Sequence, residues 1–354
     1  MKAIGHYMKV YTFYSFKGGV GRTALLTHLA VQWADRGRVV VVVDMDIHAP
    51  GISYSPNLRK HPDEKLNELG VGDLLAEFYS SRDLEKGTFN FYPPSKLLRD
   101  RKSDDPKGIW GSNGRFLVLP AGKTNQFQIQ KFSESRTHKV PPKEGRANES
   151  LEEWALRFYA QKFIEDLAAF KPEGADRGVD YVLIDCCPGY LDLVDLTMGY
   201  MADRIVLVSG LNHQNIAGLD ETLKSLRDEN IRLGLYSSKA MIIFSPVPSH
   251  FHDQPETREA LQRGVDVVKS YCLPLDDDSR EGVPRKELFP PMFTLPYTLH
   301  LAISDKPLQR DRVLGELPPY WERIYEIVDE LDSQSTSDEI RRNLNAACNS
   351  EEKH

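Results

Sequence analysis

Apolar positions along the chain alternate between short continuous runs and helical stripes. Val10–Phe16 is rich in aromatic and β-branched residues and closes on Lys17-Gly18-Gly19, which predicts a strand entering a turn. Over Thr23–Arg36, Leu25, Leu26, Leu29, Ala30 and Trp33 recur at helical spacing, and Gly37 is placed to end that helix. Arg38–Asp44 is an almost unbroken valine run, as expected of a strand buried on both faces. Further strands are predicted at Phe116–Leu119, Tyr181–Asp185, Ile205–Val208, Met241–Phe244 and Met292–Leu295. Helices over Leu151–Phe170 and Leu219–Glu229 lie between them, and another covers Trp321–Leu331. Strand, helix and strand in this order predict an α/β fold: a mostly parallel twisted sheet flanked by helices on both faces.

The length, 354 residues, accommodates one large domain over 1–331 with an insertion around 56–150, followed by a weakly ordered acidic tail over 332–354. Four cysteines without CxxC spacing exclude a disulfide framework and a zinc site. No all-apolar run exceeds the five residues of Val39–Val43, far short of a membrane span. No secretory leader pattern precedes Tyr11, so a cytoplasmic protein is expected. Charge changes the picture in one place. Lys96–Arg146 holds twelve Lys and Arg against five Asp and Glu, on a chain of net charge −7. That segment reads either as a solvated loop-rich insertion or as a docking surface for an acidic partner; nucleic acid is not favoured.

The strongest chemical signal is Lys17-Gly18-Gly19-Val20-Gly21-Arg22-Thr23, set between a predicted strand and a predicted helix. Three glycines let the backbone curl so that successive N–H groups point at one phosphate, and the following helix adds its positive end. Thr23 offers a hydroxyl to Mg²⁺, and Arg22 carries a fork of donors for the terminal phosphates.

This loop resembles the deviant Walker A loop of the MinD/ParA group of P-loop ATPases, in the arginine variant K-G-G-V-G-R-[ST]. The resemblance extends to Val43-Asp44-Met45-Asp46 with Ala49-Pro50-Gly51, and to Phe116–Gly122. It continues through Tyr181–Asp185, Ala202–Val208 and Leu295-Pro296-Tyr297. It implies a P-loop NTPase fold and an ATP-hydrolysing switch that uses Mg²⁺, forms a homodimer around its nucleotides and signals to a partner protein. By the same resemblance, Lys17 reaches the phosphates of the opposite subunit, Asp46 positions the attacking water and Asp44 supports the metal shell. These three form the catalytic set. Nucleotide contacts fall to Lys17, Gly18, Gly19, Val20, Gly21, Arg22, Thr23, Ala24 and Pro296, and metal contacts to Thr23, Asp46 and Asp185. Asp44 and Asp46 are expected to project to opposite sides of the strand end and so to hold separate roles.

Departures from the pattern matter as well. Arg22 stands where the family has lysine; it keeps the charge but is planar and bulkier, which places the hydrolysis rate in question. Cys186-Cys187 follows Asp185, and the pair reads as packing rather than as a redox centre. Ser245-Pro246 stands where an adenine-reading Asn is expected, while the absence of an N/T-K-x-D signature favours ATP over GTP. The polar run Leu211–Asn215 is read as a helix cap or a contact at the ligand edge. A slow nucleotide-binding scaffold is the alternative function, with a P-loop kinase or ligase behind it. The acidic residues of Trp321–Leu331 argue against a membrane-binding helix. Arginine-loop relatives point to a bacterial regulatory or antiviral defence system.

Overall fold

In the computed structural model the described residues are 8–47, 49–54, 69–83, 86, 88–100, 113–123, 151–187, 192–232, 240–247, 254–272, 290–296 and 319–333. Most of the predicted insertion, the tail beyond 333, Pro188-Gly189 and Tyr297 lie outside them. Eight strands form one sheet: β1 (Lys9–Tyr14), β2 (Val39–Met45), β3 (Arg99–Asp100), β4 (Arg115–Leu119), β5 (Tyr181–Cys186), β6 (Arg204–Ser209), β7 (Ala240–Val247) and β8 (Met292–Pro296). Their order across the sheet is β3-β4-β2-β5-β1-β6-β7-β8. All pairs are parallel except β3 with β4, a short antiparallel edge. Because β1 pairs with β5 on one side and β6 on the other, its end is the centre of the sheet's C-terminal edge. Asp44 and Asp185 are directly opposed across β2 and β5.

The valine run explains the layering. Val39, Val41 and Val43 enter one apolar core and Val40 and Val42 the other, and every one of them is fully buried. On the first face lie α3 (Val71–Ser81), α4 (Leu151–Ala169), α6 (His213–Arg232), α7 (Pro255–Cys272) and α5, which runs from Asp192–Val194 into a wide turn at Asp195–Met201. On the second face lie α1 (Arg22–Asp35), with Leu25, Leu26, Leu29, Ala30 and Trp33 buried, and α8 (319–333). Gly37 adopts φ 78° just beyond α1, a left-handed turn that its missing Cβ permits. A single turn, α2 (Gly51–Tyr54), follows β2. Helices α3 and α7 and the edge strand β3 have no counterpart among the elements read from the sequence. The Lys96–Arg146 segment thus contributes β3 and β4 to the sheet.

Helix α8 is fastened to α1 by aromatic and polar contacts. His28 Nδ1 lies 2.8 Å from the Tyr320 hydroxyl, and its ring meets Tyr320 and Trp321 edge-on at 5.5 and 5.6 Å. Trp33 Nε1 donates to Asp332 at 3.1 Å, the Tyr181 hydroxyl donates to the same carboxylate at 2.6 Å, and the Tyr11 hydroxyl donates to the Leu331 carbonyl. Burial lowers the His28 pKa from 6.5 to about 4, so the imidazole is held neutral. The unfolded chain therefore binds the extra proton first. Stability from this contact is complete above pH 6.5 and is lost as pH falls toward 4. Urea unfolding should show a loss of about 3 kcal/mol over that interval, and His28→Gln should remove that part of the pH dependence.

Candidate functional site

The parallel strands deliver their carboxyl ends to one edge, where α/β sheets bind ligands. From β1 the chain runs through Ser15 and Phe16 into an exposed loop, Lys17-Gly18-Gly19, with Val20 buried beneath it. Gly19 and Gly21 take φ of 81° and 80°, left-handed conformations that cost a side-chain-bearing residue strain. Gly21 then occupies the N-cap of α1, whose first turn has no side-chain cap and no acidic residue. An exposed run of backbone amides on an uncapped helix start is the chemistry a phosphate group needs, so the loop fits a nucleotide phosphate.

Arg22, the first residue of α1, turns inward. It is buried and touches the ends of three strands or their continuations. Its Nε donates to Asp185 Oδ1 at 2.5 Å, one Nη to Asp46 Oδ2 at 2.8 Å and the other to Ser15 Oγ at 3.2 Å. Burial disfavours its charge, but Asp185 and Asp46 hold the guanidinium protonated well above its ordinary range. The sequence reading sent this fork toward terminal phosphates; here three protein oxygens take it instead. Thr23 Oγ1 donates to the other oxygen of Asp185 at 2.6 Å. Burial pushes the Asp185 carboxyl up, against the pull of Arg22 and Thr23.

Asp44 is fully buried and is held by a different partner. One carboxylate oxygen accepts the Ser53 N–H at 2.8 Å and its hydroxyl at 2.7 Å, and Ser53 Oγ accepts the Ala121 N–H at 2.9 Å. Its second oxygen, Oδ1, is buried with no hydrogen-bond partner among the described residues. Burial, then the charge of Asp185, pushes Asp44 up to about 7, with the two Ser53 bonds opposing. The expectation that Asp44 and Asp46 face opposite sides does not hold. Residues two apart on a strand share a face, and Asp46, one residue beyond β2, lies close enough to repel both Asp44 and Asp185. Their environments differ by partner: Ser53 for one, Arg22 and the Ala49 N–H for the other.

The other expected residues distribute around this cluster. Lys17 is exposed, and its Nζ donates to Gln214 Oε1 at 2.6 Å. Ala24 lies half-buried on the first turn of α1, and Pro296 ends β8, paired with Val247 of β7. The Ser245 hydroxyl approaches Gly21. Asn212 accepts the Asn215 N–H and so caps α6. Cys186 and Cys187 are both buried free thiols, in keeping with packing. Ser15 and Ser53 were not singled out by sequence reasoning; Gln214 lay inside the polar run Leu211–Asn215, which was.

Threonine hydroxyl and carboxylate oxygens are the hard donors Mg²⁺ prefers, so Thr23 and Asp185 suit the ion chemically. Among the described residues, no three carboxylate, thiol or imidazole groups are arranged to hold a metal by themselves.

A doubly covered parallel sheet with a glycine phosphate loop between its central strand and α1 defines a P-loop nucleotide-binding protein. The chain belongs to the CbiA family, the CobQ/CobB/MinD/ParA nucleotide binding domain, which matches residues 11–289. No curated protein is similar enough in sequence to count as a match. Solved structures share the fold at low identity. A plasmid partition protein from Borrelia burgdorferi B31 bound to AMPPNP is 14% identical with a TM-score of 0.51, over 91% of this chain and 98% of that one. The pNOB8 ParA structure is 14% identical with a TM-score of 0.52, over 94% and 100%. A Cyanothece McdA variant in complex with ATP is 13% identical with a TM-score of 0.53, over 92% and 96%. Among the described residues, no helix is long and apolar enough to cross a membrane.

The Ser53 bridge carries a direct expectation. Ser53→Ala leaves the Ala121 N–H without its acceptor and strips a donor from a buried carboxylate. Urea unfolding should report a loss of about 2 kcal/mol, and an unchanged midpoint would remove Ser53 from the network.

Proposed function

We propose that this protein is an ATP-dependent switch that dimerises around its nucleotides, hydrolyses ATP slowly and displays its state to a partner protein. The observation that carries this reading is the exposed glycine loop on the uncapped start of α1, set beside Asp44, Asp46 and Asp185 at the sheet edge. Backbone amides of Gly18–Gly21 and the α1 terminus would bind the phosphates. Thr23 and Asp185 would hold Mg²⁺, which neutralises phosphate charge when bound. Ala24 and Pro296 would flank the nucleotide. Exposed Lys17 stands at the rim, where it would meet a second subunit's phosphates, and Asp46 would orient the attacking water. We assign all of this to one domain over 1–331 with an insertion around 56–150. The proposed setting, a bacterial regulatory or defence system, rests on the resemblance of the arginine loop alone.

One observation favours the slower alternative, a nucleotide-binding scaffold. Asp46 is already tied to Arg22, which takes an oxygen that would otherwise face an attacking water.

Sedimentation with ADP, ATP and AMPPNP, alongside phosphate release, separates the two. A switch dimerises only with triphosphate and disperses as phosphate appears. A scaffold binds nucleotide without doing either. Lys17→Ala should abolish the AMPPNP-dependent dimer while leaving the monomer's thermal transition in place; an unchanged dimer fraction rules out the cross-subunit role. Asp46→Ala should prolong the ATP-bound dimer, and wild-type turnover in that variant would remove Asp46 from hydrolysis.

A further inference from the structure

Arg22 is the feature that the switch reading leaves unexplained. It sits inside the site rather than along the phosphate path, and its three bonds go to groups at or just past the ends of β1, β2 and β5. The bonded oxygens, Asp185 Oδ1 and Asp46 Oδ2, belong to two of the residues whose chemistry suits a divalent cation. Thr23 uses its hydroxyl proton on the remaining Asp185 oxygen, and the Ala49 N–H faces the remaining Asp46 oxygen. Each oxygen of the two carboxylates therefore already accepts from a protein donor.

We infer that Arg22 is a positioning residue that serves as an exchangeable internal counter-cation, holding Asp46 and Asp185 until a divalent metal displaces it. This rests on the nucleotide-switch reading and deepens it. Guanidinium and metal compete for the same carboxylates, because two cations packed against one buried carboxylate repel each other. Exchange replaces one positive charge by two among three buried carboxylates, Asp44, Asp46 and Asp185. It also releases the fork of Arg22, whose planar donors match phosphate oxygens. The inward arrangement seen here and the outward reach expected from sequence become two positions of one side chain. In the inward position Arg22 occupies one Asp46 oxygen, so its release couples metal entry to readiness for hydrolysis.

Lysine at this position keeps the charge but cannot bridge both carboxylates. Mn²⁺ titration of the nucleotide-free protein, read by the electron paramagnetic resonance of free Mn²⁺, should show Arg22→Lys binding about tenfold tighter than wild type, the factor set by one lost charge-assisted hydrogen bond. Equal Mn²⁺ affinity in the two proteins, no detectable binding by either included, overturns the inference. In wild type labelled with ¹⁵N-arginine, the Arg22 Nε–H signal should be protected from exchange and lose that protection with Mg²⁺ and AMPPNP. Retained protection in protein shown to bind Mg²⁺ and AMPPNP also overturns it. This second measurement decides the matter if Arg22→Lys does not unfold cooperatively. Should neither protein bind AMPPNP, the switch reading fails, while the Mn²⁺ comparison still decides the role of Arg22.

Discussion

Three carboxylates buried at one edge of a sheet repel one another unless a cation or a full set of donors stands among them, and that requirement organises this molecule. Asp44, Asp46 and Asp185 are brought together by the pairing of β2 with β5, and one guanidinium, that of Arg22, lies between two of them. Removing one partner from a buried ionic cluster leaves an uncompensated charge, which costs far more than the intact pair contributes. The start of α1, the end of β1 through Ser15 and the turn after β2 are therefore fixed relative to one another by a single side chain.

The third carboxylate follows a separate logic. Among the described residues Asp44 gains no cation within hydrogen-bonding distance; Ser53 supplies two donors, and its own hydroxyl oxygen takes the Ala121 N–H. The short helix α2 thus ties the end of β2 to the loop after β4. That loop in turn accepts the first amides of α3, Val71 and Gly72, through the Pro120 and Ala121 carbonyls. A continuous hydrogen-bonded path runs from the carboxylate cluster to α3. The opposite face of the sheet is secured differently, through rings and buried hydroxyls that join α8 to α1 around neutral His28.

Most of the fold was legible in the sequence because parallel strands buried on both faces read as continuous apolar runs, and α1 shows its apolar face at helical spacing. The phosphate loop was legible because its demands are local: glycine where φ is positive, and a helix start directly afterwards. Helix α7 and the two-residue strand β3 were not. The first carries only a narrow apolar stripe, Leu261, Val265 and Val268, among many polar residues, and the second is too short to show a period. Ser53 was equally hidden: Pro50-Gly51 marks a turn, but nothing local shows that it returns the chain to Asp44, nine positions back.

The sequence by itself determined that a glycine loop joins a buried strand to a helix, that acidic residues end the neighbouring strands, and therefore that a nucleotide-binding sheet edge exists. These are consequences of backbone conformation and hydrophobic periodicity, which neighbouring residues set. Only the tertiary structure decided where Arg22 points. A long, flexible cation beside a phosphate loop has both outward and inward partners, and the choice depends on which oxygens distant strands bring within about 3 Å of it. Strand order made Asp185 and Asp46 those partners, and strand order is fixed by packing across the whole sheet.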